Sequence, residues 1–280
     1  MNQNANPLQQ FFRQPAIYLR LPSGGQYWPP GSLDMPPNNE IPVLPMTAID
    51  EITYRTPDAL FNGTAVVNVI QSCCPNIKDA WKAPGTDLNA ILIAIRIASY
   101  GSNMELETTC PKCEAKSDYT LNLTSVLDAM PKPDFSETIK RGDLEVYFKP
   151  IDYQNQNQIN TLQFDQQRIL QMIPNTEISE EQKMQSLNTA LLEITKITVK
   201  AIKDSIASIR TPQALVSDSD FIEEFLNNCD RQLFNQIRDQ AVRLRENSEI
   251  KPMKLSCTEC NAEYEQGISL DEARFFEPAS

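Results

Sequence analysis

The chain has 280 residues, 41% hydrophobic and 22% charged, a balance that fits one large globular domain or two modest ones. Its formal charge of −12 argues against broad adhesion to nucleic acid or an anionic membrane, and no stretch reaches the ~20 apolar residues of a membrane-spanning helix. Histidine is absent, so Ser-His-Asp and Cys-His catalysis are excluded, and acid–base chemistry would fall on carboxylates, lysine or tyrosine. The spacing of those residues suggests no catalytic constellation, and the chain is expected not to be an enzyme. The start, Met1-Asn2-Gln3-Asn4, has no basic or hydrophobic leader region. Together with an odd count of seven cysteines, this points to reduced thiols rather than a disulfide framework.

Residues 1–46 hold nine of the twenty prolines, which disfavours helices and central strands. The segment also carries apolar anchors, among them Phe11, Phe12, Tyr18, Leu19, Leu21, Trp28, Ile41 and Val43. It reads as an extended arm that either wraps its own body or docks on a partner. A helical subdomain follows over 47–101. Thr56-Pro57-Asp58 marks a short helix ended by Gly63, Thr64 caps the next, and Thr86-Asp87 opens a third that is apolar nearly all round. Arg96 is the lone charge within the third helix and is expected to snorkel or to pair with an acid.

Residues 102–150 alternate as strands, Met104–Glu107, Ser117–Leu123 and Leu144–Phe148, and are expected to form the first half of a β module around one cysteine knuckle that residues 251–280 complete. Residues 151–250 read as a helical insertion, with one helix from Ser179 whose apolar steps run on through Ile202, Ile206 and Ile209. Two more helices are expected over Asp220–Asn228 and Arg231–Arg245. Residues 251–280 return to strand, and Ser269-Leu270-Asp271-Glu272 fits a capping box before Phe275 and Phe276.

Two cysteine pairs bracket the helical segment, Cys110-Pro111-Lys112-Cys113 and Cys257-Thr258-Glu259-Cys260. Each is followed by alanine at the same offset (Ala115, Ala262) and then by an aliphatic-x-Leu triplet. Strand, knuckle, strand, used twice, builds a four-cysteine zinc site. Iron–sulfur ligation uses the same ligands, whereas a thioredoxin-like dithiol would need a βαβ context that neither pair shows. Cys73, Cys74 and Cys229 read as core residues. Asp118, Glu263 and Glu265 beside Tyr119 and Tyr264 repel phosphates, so protein partners are favoured over nucleic acid. The fold class expected is α+β: a zinc-ribbon-like β module with a large helical insertion, an N-terminal helical subdomain and an extended Pro-rich arm.

The segments Leu21-Pro22-Ser23-Gly24-Gly25, Pro45–Ile52, Arg55–Leu60 and Ile93–Gly101, followed by the Cys-Pro-x-Cys, resemble a hub-type baseplate protein family of contractile-tailed bacteriophages related to the T-even phages. The resemblance covers about 20–125 and the second knuckle. It implies a structural or assembly role in the virion tail baseplate, put together in the host cytoplasm with other baseplate and tail proteins in a symmetric hetero-oligomer. It implies no reaction and no substrate. An assembly chaperone absent from the finished particle, or a zinc-ribbon adaptor, are the alternatives.

Overall fold

The structure is a computed structural model and describes residues 6–56, 63–172, 179–268 and 273–276. Its first core is built on α3 (Gly85–Tyr100), in which Ala90, Ile91, Ile93, Ala94 and Ile95 are fully buried. Apolar residues on every side leave this helix no solvent face. Gly101, at φ 88°, ends it in a backbone conformation other residues rarely adopt. Packed on it are α2 (Thr64–Cys73) and the antiparallel pair β1 (Ile17–Leu19) and β2 (Ile41–Val43), in register at Leu19↔Ile41. Gly63, in the left-handed region, takes the N-cap position of α2 that Thr64 was expected to hold.

The proline-rich segment therefore wraps its own body from about residue 17. Leu19, Leu21, Trp28, Ile41 and Val43 are all buried in the first core. Pro42 lies in an edge strand, where a missing N–H is tolerated. Buried Asp87, in the first turn of α3, clamps the segment. It accepts the Ser23 N–H at 2.9 Å, the Trp28 indole N–H at 2.8 Å and the Ser23 hydroxyl. Farther out, Arg13 donates to Pro45 O (2.6 Å), Asp50 (3.1 Å) and Ser72 O (2.8 Å). Only the outermost anchors and Tyr18 stay in solvent, with Phe11 76% and Phe12 55% exposed.

A helix absent from the sequence reading, α1 (Ala48–Tyr54), starts at a capping box of Thr47 and Asp50. The helix expected from Thr56-Pro57-Asp58 and the capping box at Ser269 lie outside the described residues. Phe275 and Phe276 form a 3-10 turn (Ala273–Phe276) and are buried, with Phe276 edge-on to Tyr54 at 4.6 Å. Arg96 is only 2% exposed, so it does not snorkel; its guanidinium lies 5.1 Å over the Tyr100 ring.

The second core lies under an antiparallel sheet ordered β5 (Ile139–Arg141), β6 (Leu144–Phe148), β7 (Ile206–Arg210), β8 (Leu215–Val216). Val146, Phe148, Ile206 and Ile209 from the sheet meet Ile222, Leu226, Ile237 and Leu244 from α7 (Ser219–Asn228) and α8 (Arg231–Ser248). After the short α4 (Leu123–Asp128), two more helices, α5 (Tyr153–Met172) and α6 (Glu180–Asp204), form a long hairpin between β6 and β7. The expectation that α6 runs on through Ile206 and Ile209 is corrected: it stops at Asp204 and the chain enters β7. The register shifts at Tyr147/Phe148, pairing Val146 with Ile209 and Phe148 with Ile206, so Ala207 is the extra residue of a bulge. Both isoleucines reach the core three residues apart, which imitates a helical step. β6, expected beside the first knuckle, belongs to this sheet.

Candidate metal centre

Each cysteine pair sits at the tip of an antiparallel hairpin. The first is β3 (Asn103–Thr109) with β4 (Lys116–Asn122), and the second is β9 (Met253–Ser256) with β10 (Glu263–Gln266). The tips have the same backbone. Cys110 N–H donates to Ala115 O at 2.9 Å and Cys257 N–H to Ala262 O at 2.9 Å. The returning bonds, Glu114 N–H to Cys110 O and Asn261 N–H to Cys257 O, measure 2.9 and 3.0 Å. The residue after each second cysteine turns left-handed, Glu114 at φ 60° and Asn261 at φ 55°. The repeat seen in the sequence is thus a repeat of shape.

The structure brings Cys110, Cys113, Cys257 and Cys260 together, with all four sulfurs within 4.8 Å of one another. Across the hairpins, Cys110 Sγ lies 3.7 Å from Cys260 Sγ, and Cys113 Sγ lies 3.6 Å from Cys257 Sγ. Four sulfurs about 2.3 Å from a central ion stand about 3.8 Å apart, so the spacing fits a tetrahedral dication. It is far longer than the ~2.05 Å of a disulfide. Each hairpin supplies one buried sulfur residue (Cys110, Cys257) and one closer to solvent (Cys113, Cys260).

Electrostatics favour a cation here. Backbone N–H groups of Cys113 and Lys112 aim at Cys110 and lower its pKa to about 6. Cys113 receives the Ala115 N–H, which lowers its pKa, but hydrogen bonding to Cys260 and desolvation outweigh that and leave it at about 12. One thiolate forms readily; a second beside it needs positive charge. Of the lysines near the knuckles, Lys116 is neutralised by Glu107 at 2.7 Å and Lys251 is turned to Glu246 O at 3.0 Å. Strands, not helices, follow both knuckles, so the helix N-terminus that activates a redox dithiol is missing at each.

Side chains also join the hairpins. Tyr119 donates to Ser256 O at 2.6 Å, Thr108 and Tyr264 share a hydrogen bond of 2.7 Å, and Ser117 and Thr258 one of 3.1 Å. The hydroxyls of Tyr119 and Tyr264 are therefore committed to the hairpin contact. Cys73 and Cys74 are buried, and burial raises both thiol pKa values, that of Cys73 to about 12. They are core residues, as expected. Cys229 is half-buried at the end of α7.

These features define a mixed α/β protein whose distant chain segments are drawn together at a four-thiol centre. Over residues 38–277 the chain matches the family described as T4 bacteriophage base plate protein, and it belongs to that family. No curated protein and no solved structure matches it. Membership agrees with the baseplate family read from the sequence, without singling out a hub type, and makes a structural role in the phage baseplate, as part of the virion tail, the chain's function class.

Proposed function

We propose that the chain is a permanent subunit of a contractile-tail baseplate, assembled in the host cytoplasm, and that Cys110, Cys113, Cys257 and Cys260 hold one structural zinc. It joins neighbouring baseplate or tail proteins within a symmetric hetero-oligomer, without nucleic acid or membrane contact, and catalyses no reaction. The observation that carries the reading is the convergence of four sulfurs from hairpins about 150 residues apart in a baseplate-family chain. Zinc would tie the two ends of the α5–α8 region to one point, since its thiolate sites contribute folding energy directly. The joining surface is narrower than the whole arm. Leu8, Phe11, Phe12 and Tyr18, with Ile49 and Ile52 of α1 (74% and 70% exposed), are the large apolar residues of this region, among the described residues, left for a partner.

Two measurements test the reading. Mass spectrometry of purified particles should find the chain at a fixed stoichiometry; absence from mature particles would make it a chaperone. Elemental analysis of reductively purified protein should give one zinc per chain, lost in Cys257→Ser. Chelation should remove hydrogen-exchange protection from β9 and β10 while the β5–β8 sheet stays protected. No zinc, or no change on chelation, would sink the metal assignment.

A further inference from the structure

A cleft of about 490 Å³ opens between the two cores, where the start of α3 and the base of the α5–α6 hairpin face α8. Thr198, Ala201 and Ile202 of α6 form one wall, Ala241 and Val242 of α8 the other, and Phe135 lies among them. Beyond the cleft the same face of α6 continues to the hairpin tip. Leu191, Leu187 and Met184 precede Thr198 by seven, eleven and fourteen residues, the spacing of one helical stripe. They are 50%, 37% and 59% exposed. The cleft is thus a groove at the base of one apolar face of α6 that runs from Ile202 to Met184, about 27 Å at 1.5 Å per residue.

The groove also has a charge. Lys149, Arg238 and Arg245 line the cleft against a single carboxylate, Glu249. Arg238 and Arg245 are engaged with Asp239 and Glu249, at 2.8 and 3.3 Å, and Lys149 is left without an ion pair among the described residues. With those pairs counted, the rim keeps one unpaired positive charge, Lys149, a partner for a carboxylate, while the net charge of −12 sets two copies of the chain against each other. At the closed end Thr86 has a buried hydroxyl with no hydrogen-bond partner among the described residues, room for one polar contact more.

We infer that this groove is a docking site for an amphipathic helix of about five turns from another protein of the assembly, its apolar face on the α6 stripe and its carboxylates toward Lys149. The inference deepens the joining role proposed above by naming a surface and a partner chemistry. Its test needs only the purified full-length chain and so does not depend on retention in the particle.

The probe is a synthetic acidic amphipathic peptide of about 18 residues, with leucines at alternating three- and four-residue steps and glutamates on the flanks. The control replaces the glutamates with lysines. Fluorescence anisotropy should show saturable binding of the acidic peptide, weaker as salt rises, and about tenfold weaker binding of the basic one. Leu191→Glu, at a half-exposed position that the fold does not need, should weaken binding about tenfold with unchanged circular dichroism. Lys149→Glu, at an exposed position, should weaken it and reduce the salt dependence. No binding at several hundred micromolar, equal binding of both peptides, or indifference to both substitutions overturns the proposal. So does sedimentation showing a dimer of the chain that Leu191→Glu dissolves, because the occupant is then a second copy.

Discussion

Asp87 is a fully buried carboxylate whose neighbours are donors. Burial raises its pKa, and the hydrogen bonds from Ser23 and Trp28 pull it part of the way back. Removing the acceptor strands an indole N–H and a backbone N–H in the core, at about 1–3 kcal/mol for each unsatisfied donor. Asp87→Ala should therefore lower the thermal midpoint by many degrees, with the Trp28 fluorescence changing in the same transition. An unchanged midpoint would show that the arm is held by apolar burial alone. Glu145 has the opposite sign. The Tyr147 hydroxyl at 2.7 Å, then Lys140 and Thr138, hold its pKa down at about 2. A depressed folded pKa gives stability that is complete above the unfolded value near 4.5 and is lost as pH falls toward 2. Denaturant midpoints measured from pH 5 to pH 3 should drop in the native protein and drop less in Glu145→Gln; parallel curves would remove Glu145 from the acid sensitivity.

Helix starts were readable only where the cap stood alone in the sequence: Ser179 forms the capping box with Gln182 that opens α6, whereas the Thr47–Asp50 box of α1 was missed and Gly63, not Thr64, caps α2. The helix α7, expected from Asp220, starts one residue earlier under Asp218, which accepts the N–H groups of Asp220 and Phe221 at 3.0 and 3.1 Å. Replacing Asp218 with alanine frees both donors and should cost about 1 kcal/mol in chemical denaturation, while asparagine, which caps as well, should cost far less. Equal effects of the two substitutions would point to charge rather than capping. Elements that escaped the sequence reading had inverted or irregular patterns. In α1, Asp50 and Tyr54 are buried while Ile49 and Ile52 face solvent, so its apolar residues mark the wrong side. In β7 the bulge at Ala207 spaces two core isoleucines like a helix. The groove along α6 had no signature, because its cleft walls come from α3, α6, α8 and the loops around Phe135 and Lys149.

The four-thiol centre was legible across the whole chain because its parts are two local copies of one motif, and matching copies need only meet once. The arm was not legible, since nothing in Leu19, Ile41 or Val43 says whose helix they cover. In the structure they cover the chain's own α3, each at most 1% exposed. Truncating one such aliphatic side chain to alanine costs about 2–5 kcal/mol, so losing several at once exceeds the 5–15 kcal/mol that holds a typical domain together. The consequence separates two deletions that a free arm would make equivalent. Removing residues 1–12 takes away the exposed anchors Leu8, Phe11 and Phe12 and should leave the melting curve unchanged while weakening incorporation into baseplates. Removing residues 1–46 strips β1, β2 and the Asp87 clamp and should leave the first core unfolded or aggregated, even with zinc supplied. A well-folded protein lacking residues 1–46, with native circular dichroism and a cooperative melt, would mean that α3 finds another cover and that these strands belong to an assembly surface after all.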